Sequence, residues 1–254
     1  CYYAKLSPSK YKRELCIWYS AETGRRLDCK HPKTFNEKIQ WLKLYDTTPL
    51  KTMLSDKRLV REWVAEKIGA DYLIPMLGAW RHFKDVDFSS LPEQFVLKCN
   101  HGCGWNLIVR DKSKLDYQKA EKRFEKWLST NFAFKYGLEL QYKEIEPCII
   151  AEEYIENSDG DLHDYKLWCF EGEVRYIMYL SERNISHLKM SFYSTEWEPL
   201  DISYTYEKQL SYVPKPQRLD EMLKLASILC KGFHFVRVDF YVLDDGTIKF
   251  GEMT

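Results

Sequence analysis

The chain has 254 residues, 45% of them hydrophobic and 30% charged, with 38 basic and 38 acidic side chains that cancel to zero net charge. That length suits one large mixed domain or two small ones, and the composition excludes a disordered chain. The charge balance removes any global attraction to nucleic acid or an anionic membrane, so no nucleic-acid partner is expected. No apolar run suggests a signal peptide or a transmembrane segment. The eight cysteines are scattered, several in apolar segments, such as Cys148, Cys169 and Cys230. This usage fits reduced thiols in a cytoplasmic protein better than a disulfide framework.

The N-terminal third reads as mostly helical. Thr34 and Glu37 form a capping box ahead of Phe35, Ile39 and Leu42 at helical spacing. A second helix is expected from Ser55 or Asp56, burying Leu59, Val60, Trp63, Val64 and Ile68 and stopping at Gly69. From Phe95 the pattern turns to strands. Phe95 to Asn100 and Trp105 to Arg110 flank His-Gly-Cys-Gly as a hairpin with a glycine-rich tip. Asp116 opens an amphipathic helix through Phe124, Trp127 and Leu128, and Cys148 to Ile155 is a short strand running into acidic residues. Asp164 to Leu180 is a hairpin turning at Glu171-Gly172, and Arg218 to Lys231 a helix closed by Gly232. The last hairpin, His234 to Thr254, turns at Asp245-Gly246. Residues 157–163 read as a polar loop. The irregular alternation of helices and strands predicts an α+β fold with mainly antiparallel pairing, divided as a helical region over 1–90 and subdomains over 91–156 and 157–254.

The terminal hairpin carries the most chemistry. With Asp245 and Gly246 as a two-residue loop, Asp244 faces Thr247 and paired numbers sum to 491, so Asp239 faces Glu252. Alternation then puts Arg237, Asp239, Phe250, Glu252 and Thr254 on one face and Val236, Val238, Phe240, Val242 and Met253 on the core face. Directly opposed carboxylates destabilise a ladder unless a cation lies between them. Magnesium needs few protein ligands when phosphate and water complete its shell. On spacing alone, a metal site and a solvated face neutralised by Arg237 or Lys249 are equally good readings.

Lys98 sits within an otherwise apolar strand and must reach solvent or an anion. Gly102 and Gly104 would let backbone amides approach a phosphate, although a glycine-tipped hairpin is also an ordinary turn. Cys99, His101 and Cys103 lack the second ligand pair that structural zinc requires. Lys166 could meet a phosphate or a substrate carboxylate, or simply be solvated. Glu152, Glu153, Tyr154 and Ile155 could offer backbone groups to an adenine and carboxylates to a ribose, or simply end a strand.

In their order along the chain, several segments resemble the ATP-grasp superfamily and, within it, the teichuronopeptide-biosynthesis-type (TupA-like) family of bacterial surface-polysaccharide gene clusters. They are PKTFNEKIQWLKLYD (Pro32 to Asp46), SDKRLVREWV (Ser55 to Val64), FVLKCNHGCGWNLIV (Phe95 to Val109), IIAEEYIE (Ile149 to Glu156), DYKLWCFEGEV (Asp164 to Val174) and VRVDFYVLDDGTIKFGEMT (Val236 to Thr254). The resemblance implies ATP and Mg2+ as cofactors, held between two α+β subdomains. It implies Lys98 on the α- and β-phosphates under the loop of Gly102 and Gly104, and Glu152 to Ile155 as an adenine-contacting hinge. Lys166 would be the basic residue after the interdomain strand, Asp239 and Glu252 the magnesium ligands, and Arg237 would sit near the transferred phosphoryl group. Two departures stand out. Thr254 occupies the place where many such enzymes carry an asparagine, and family members continue past this point, so a C-terminal piece is expected to be missing.

The activity implied is an ADP-forming carboxylate–amine ligase acting through an acyl phosphate, with Lys166 and Arg237 as catalytic cations. Its implied substrates are a carboxylate, by family analogy a uronic acid of a polysaccharide, and an amine, by the same analogy an amino acid. Two rivals remain: a nucleotide-sugar glycosyltransferase using Asp159-Gly160-Asp161 or Asp244-Asp245, and a glycan-binding protein using some of the 18 tyrosines and eight tryptophans as platforms.

Overall fold

The structure is a computed structural model describing residues 6–181, 188–202, 207–208 and 212–254. The chain forms two compact units, Cys1–Val60 with Leu77–Glu152, and Arg61–Met76 with Glu153–Thr254.

The first unit begins with helices α1 (Tyr11–Thr23), α2 (Phe35–Tyr45) and α3 (Pro49–Ser55), and a fourth, α4 (Val60–Ile68), leads into the second unit. The predicted capping box opens α2: the Glu37 amide donates to Thr34 Oγ1 at 3.3 Å, and the Thr34 amide donates to Glu37 Oε2 at 2.8 Å. Helix α3 was not anticipated, although its start is written in Thr48, which caps the Lys51 amide, and in Pro49 at the first turn. The next helix therefore begins at Val60 rather than Ser55. Asp56 instead caps a tight turn through the Arg58 and Leu59 amides, leaving Leu59 exposed and not in the core.

Strands β1 (Met76–Trp80), β2 (Phe95–Cys99), β3 (Asn106–Val109) and, after helix α5 (Tyr117–Leu128), β4 (Ile149–Glu153) form a sheet in the order β1-β4-β2-β3. β2 and β3 pair antiparallel, from Phe95 opposite Val109 to Lys98 opposite Asn106. Period-two alternation sends Phe95, Leu97 and Cys99 into a core shared with Phe124 of α5 and Leu15 of α1, and leaves Lys98 on the other face.

The second unit is built on β5 (His163–Phe170), β6 (Glu173–Ser181), β7 (Lys189–Tyr193), β8 (Pro199–Leu200), β9 (Glu207–Lys208), β10 (Phe235–Val242) and β11 (Ile248–Met253), with helix α6 (Leu219–Leu229) against β5, β6 and β10. The sheet runs β11-β10-β5-β6-β7-β8, with β9 beside β7. Its pairs are antiparallel except β7 with β9. Leu219, Met222, Ala226 and Leu229 of α6 are buried, as are Leu167, Cys169, Val236, Val238 and Phe240 on the strands it covers. Segment 61–76 is tied into this unit by Tyr72, whose hydroxyl donates to Glu221 at 2.6 Å, and by Lys249, which donates to the Asp71 and Leu73 carbonyls.

The terminal hairpin turns differently from the sequence expectation. The Leu243 amide donates to the Thr247 carbonyl, which makes Asp244-Asp245-Gly246 a three-residue loop with Gly246 at φ 80°. The near half of the ladder accordingly pairs with a sum of 490, as in Phe240 opposite Phe250. A bulge at Gly251 then adds one residue and returns the sum to 491, so that Asp239 faces Glu252 and Val238 faces Met253. The same bulge moves Phe250 off the predicted polar face. It packs against Phe240, with ring centroids 6.3 Å apart, and is buried.

Candidate functional site

In the first unit, Lys98 of β2 reaches Glu152 of β4, with Nζ 2.5 Å from Oε2. Both side chains are largely buried, so the pair is shielded from solvent far more than a surface ion pair. The chain passes from one unit to the other between Glu152 and Glu153. Glu153 is exposed, Tyr154 and Ile155 are half-buried, and the Tyr154 hydroxyl donates to Glu156.

The glycine-rich tip stands on a buried polar knot. Asn100 accepts from the Cys148 amide at 2.7 Å and donates to Asp56 at 2.9 Å and to the Glu146 carbonyl at 3.0 Å. His101 is buried beside it, its two ring nitrogens 3.2 Å from the Asn100 side chain and the Trp127 carbonyl. Burial holds the His101 pKa below the ordinary imidazole value. Lys57 donates to the Gly102 carbonyl at 2.8 Å. The two glycines differ in kind. A Cβ on Gly102 would fall 2.6 Å from the Trp105 ring and 2.9 Å from the Phe132 ring, so its small size serves packing. Gly104 is exposed at φ 70° with open space where a side chain would go, so its role is conformational.

In the second unit, three adjacent strands place Lys166, Asp239 and Glu252 in one row, since Asp239 is the register partner of both others. Alternation puts Asp164 on the same face of β5 as Lys166, and Arg237 on the same face of β10 as Asp239. Arg237 donates from Nε to Asp239 Oδ1 at 2.7 Å, and from Nη2 to Asp239 Oδ2 at 2.9 Å, Glu252 Oε1 at 3.1 Å and Thr254 Oγ1 at 3.3 Å. Lys166 donates to Asp239 Oδ2 and lies 2.9 Å from Asp164 Oδ2. Burial pulls the Lys166 pKa down, but the Asp239 and Asp164 carboxylates outweigh it and leave the ammonium above its ordinary value. Arg237 shows the same contest and the same outcome. The cluster thus alternates acid and base, three carboxylates against two cations, with Asp239 only 1% exposed at its centre.

These facts bring four of the predicted residues, Lys166, Arg237, Asp239 and Glu252, into one contact network, and Lys98 into contact with Glu152. Sequence reading missed Asp164, although it stands two residues before Lys166 and alternation alone would have put both on one face. It also missed the Asn100–Asp56 contact, whose partners lie 44 positions apart with no local signal. In the acidic pairs considered for a glycosyltransferase, Asp159, Asp244 and Asp245 hold backbone amides. Asp159 accepts from the Asp161 amide, Asp244 from the Ser158 amide and Asp245 from the Thr247 amide. Among the described residues, no group of three or more His, Cys, Asp or Glu side chains forms a ready metal cage. Asp239 and Glu252 face each other as a pair.

The two-unit α+β architecture is that of the ATP-grasp proteins. One solved structure with this fold, the ADP complex of an N5-carboxyaminoimidazole ribonucleotide synthetase, is similar over 89% of this chain and 52% of its own, at 12% identity and a TM-score of 0.50. Weaker likenesses include an L-amino acid ligase from Bacillus licheniformis, with 15% identity, a TM-score of 0.47 and 81% and 44% of the two chains covered. D-alanine–D-alanine ligase from Bacillus anthracis follows, with 18% identity, a TM-score of 0.44 and coverage of 80% and 57%. The chain spans about half the length of these proteins. No curated protein matches it. The TupA-like ATP-grasp family matches residues 37–254, and the chain belongs to that family. No helix among the described residues is long and apolar enough to cross a membrane.

Proposed function

We propose that this chain binds ATP and magnesium and activates a carboxylate for amide formation with an amine. The observation that carries this reading is the row Lys166–Asp239–Glu252 with Arg237 beside it, in a chain of the TupA-like ATP-grasp family. Two carboxylates opposed across a ladder suit a hard divalent ion that takes its remaining ligands from phosphate and water. The donor chemistry fits: hard oxygens only, at a place where two cations already offset the acids. When bound, Mg2+ would be held by Asp239 and Glu252 and would offset the negative charge of the nucleotide's phosphates.

The protein side of the chemistry is electrostatic. Lys98 serves the α- and β-phosphates, while the amides around Gly104 cover them. The hinge Glu152 to Ile155 offers backbone groups to adenine. Lys166 and Arg237 stabilise the charge that develops as a substrate carboxylate takes the γ-phosphoryl group and ADP leaves. An amine then attacks the acyl phosphate, forming the amide and releasing phosphate. No side-chain nucleophile is needed. The finer reading is a uronic acid of a surface polysaccharide as carboxylate and an amino acid as amine, in the cytoplasm, where ATP is plentiful.

The test is turnover of the protein with ATP, Mg2+, an amino acid and a uronic-acid acceptor, following ADP, phosphate and the amide mass. ADP release that requires the carboxylate supports the ligase. Turnover that requires only a nucleotide sugar overturns it.

A further inference from the structure

We propose that Asp164 is a positioning residue: it holds the Lys166 ammonium so that Asp239 can turn to a divalent ion. This rests on the magnesium reading above and goes beyond it, since Asp164 is not one of the assigned ligands. Lys166 bridges two acids, Asp164 at 2.9 Å and Asp239, and its side chain is mostly buried. The Asp239 oxygen that accepts from Lys166, Oδ2, also accepts from Arg237 Nη2. A metal that takes a lone pair from this carboxylate therefore competes with two fixed cations. An ammonium losing Asp239 in so shielded a place needs another anion, because a buried charge without a partner is strongly unfavourable.

Asp164 supplies that anion. It lies on the same strand and the same face as Lys166, is 1% exposed, and stands 2.9 Å from the ammonium, a contact that does not run through Asp239. Of the three acids in the cluster, two face each other across β10 and β11 and are suited to the ion. The third stands on β5 beside the lysine. The division gives Asp164 to the cation and Asp239 with Glu252 to the metal. Without Asp164, Lys166 would close on Asp239 and act as a built-in competitor of magnesium.

The test is calorimetric titration of a non-hydrolysable ATP analogue at increasing free Mg2+, with wild type, Asp164→Asn and Asp164→Glu. The Asn variant should need about tenfold more Mg2+ to reach half its maximal affinity gain, equivalent to ~1.4 kcal/mol. The Glu variant should stay near wild type. The double variant Asp164→Asn/Lys166→Met removes the competitor along with its holder, and should return the Mg2+ midpoint toward wild type. It also carries no unpaired ammonium, so it keeps the test decisive should the single variant fail to fold. An unchanged midpoint in Asp164→Asn, or a raised one that persists in the double variant, overturns the proposal. Wild-type protein whose nucleotide affinity ignores Mg2+ would instead remove the metal reading on which it stands.

Discussion

Replacing Asp239 by Asn makes the sharpest demand on the charged row of the second unit. Its carboxylate accepts from Lys166 and twice from Arg237, at 2.7 and 2.9 Å, and is almost wholly buried. An amide of the same shape keeps one acceptor oxygen but turns an NH2 toward donors that have nothing to give it. Removing one member of a buried ion network costs about 3–5 kcal/mol. Lys166 retains Asp164 at 2.9 Å, and Arg237 retains Glu252 at 3.1 Å, so the lower end applies, about 3 kcal/mol. For a chain of this size, that lowers the melting temperature by about 6–12 °C. Thermal unfolding followed by circular dichroism, without nucleotide or metal, reads it directly. A variant that melts within about 2 °C of wild type would show that the network does not hold Asp239 as described.

Three further outcomes are expected. Burial depresses the His101 pKa below 6.5, so its contribution to stability is present above that pH and is lost as pH falls through the lower folded value. His101→Gln should flatten the acid side of the melting-temperature profile from about pH 6.5 downward, and an unchanged profile would put the acid sensitivity elsewhere. Gly102→Ala presses a methyl into the Trp105 and Phe132 rings and should cost ~1–3 kcal/mol by overpacking, whereas Gly104→Ala should cost ~1–2 kcal/mol through its left-handed backbone alone. Cysteine labelling with an aromatic disulfide reagent should modify the exposed Cys103 well before Cys99 and Cys148, whose thiols burial pushes up to about 12 and about 11. Mg-ATP should slow that labelling, and peptide mapping would reveal Cys99 or Cys148 if the order is wrong.

Much of this arrangement was legible in the chain because two periodicities did the sorting. Alternation placed Lys98 opposite in face to Leu97 and Cys99, and put Arg237 and Asp239 away from Val236 and Val238. Thr34 with Glu37 and Asp116 with the Lys119 amide marked helix starts that the structure keeps. The opposition of Asp239 and Glu252 was reached by a wrong turn. The loop is one residue longer than supposed, and the Gly251 bulge cancels the shift. Neither event has a one-letter signature, since Asp-Gly serves both two- and three-residue loops and a strand glycine need not bulge. Phe250 shows the consequence, because a single extra residue between it and Glu252 reverses its face. The polar knot at Asn100 was invisible for another reason: its partners Asp56 and Cys148 come from distant segments that only the packed unit brings together.

Crystals grown with Mn2+ and a non-hydrolysable ATP analogue would address the metal most directly, through the anomalous signal of manganese. The account predicts a peak within coordination distance of both the Asp239 and Glu252 carboxylates, touching phosphate oxygens, with the Lys166 ammonium resting on Asp164. Manganese bound elsewhere, or a nucleotide whose phosphates avoid those two carboxylates, would contradict it.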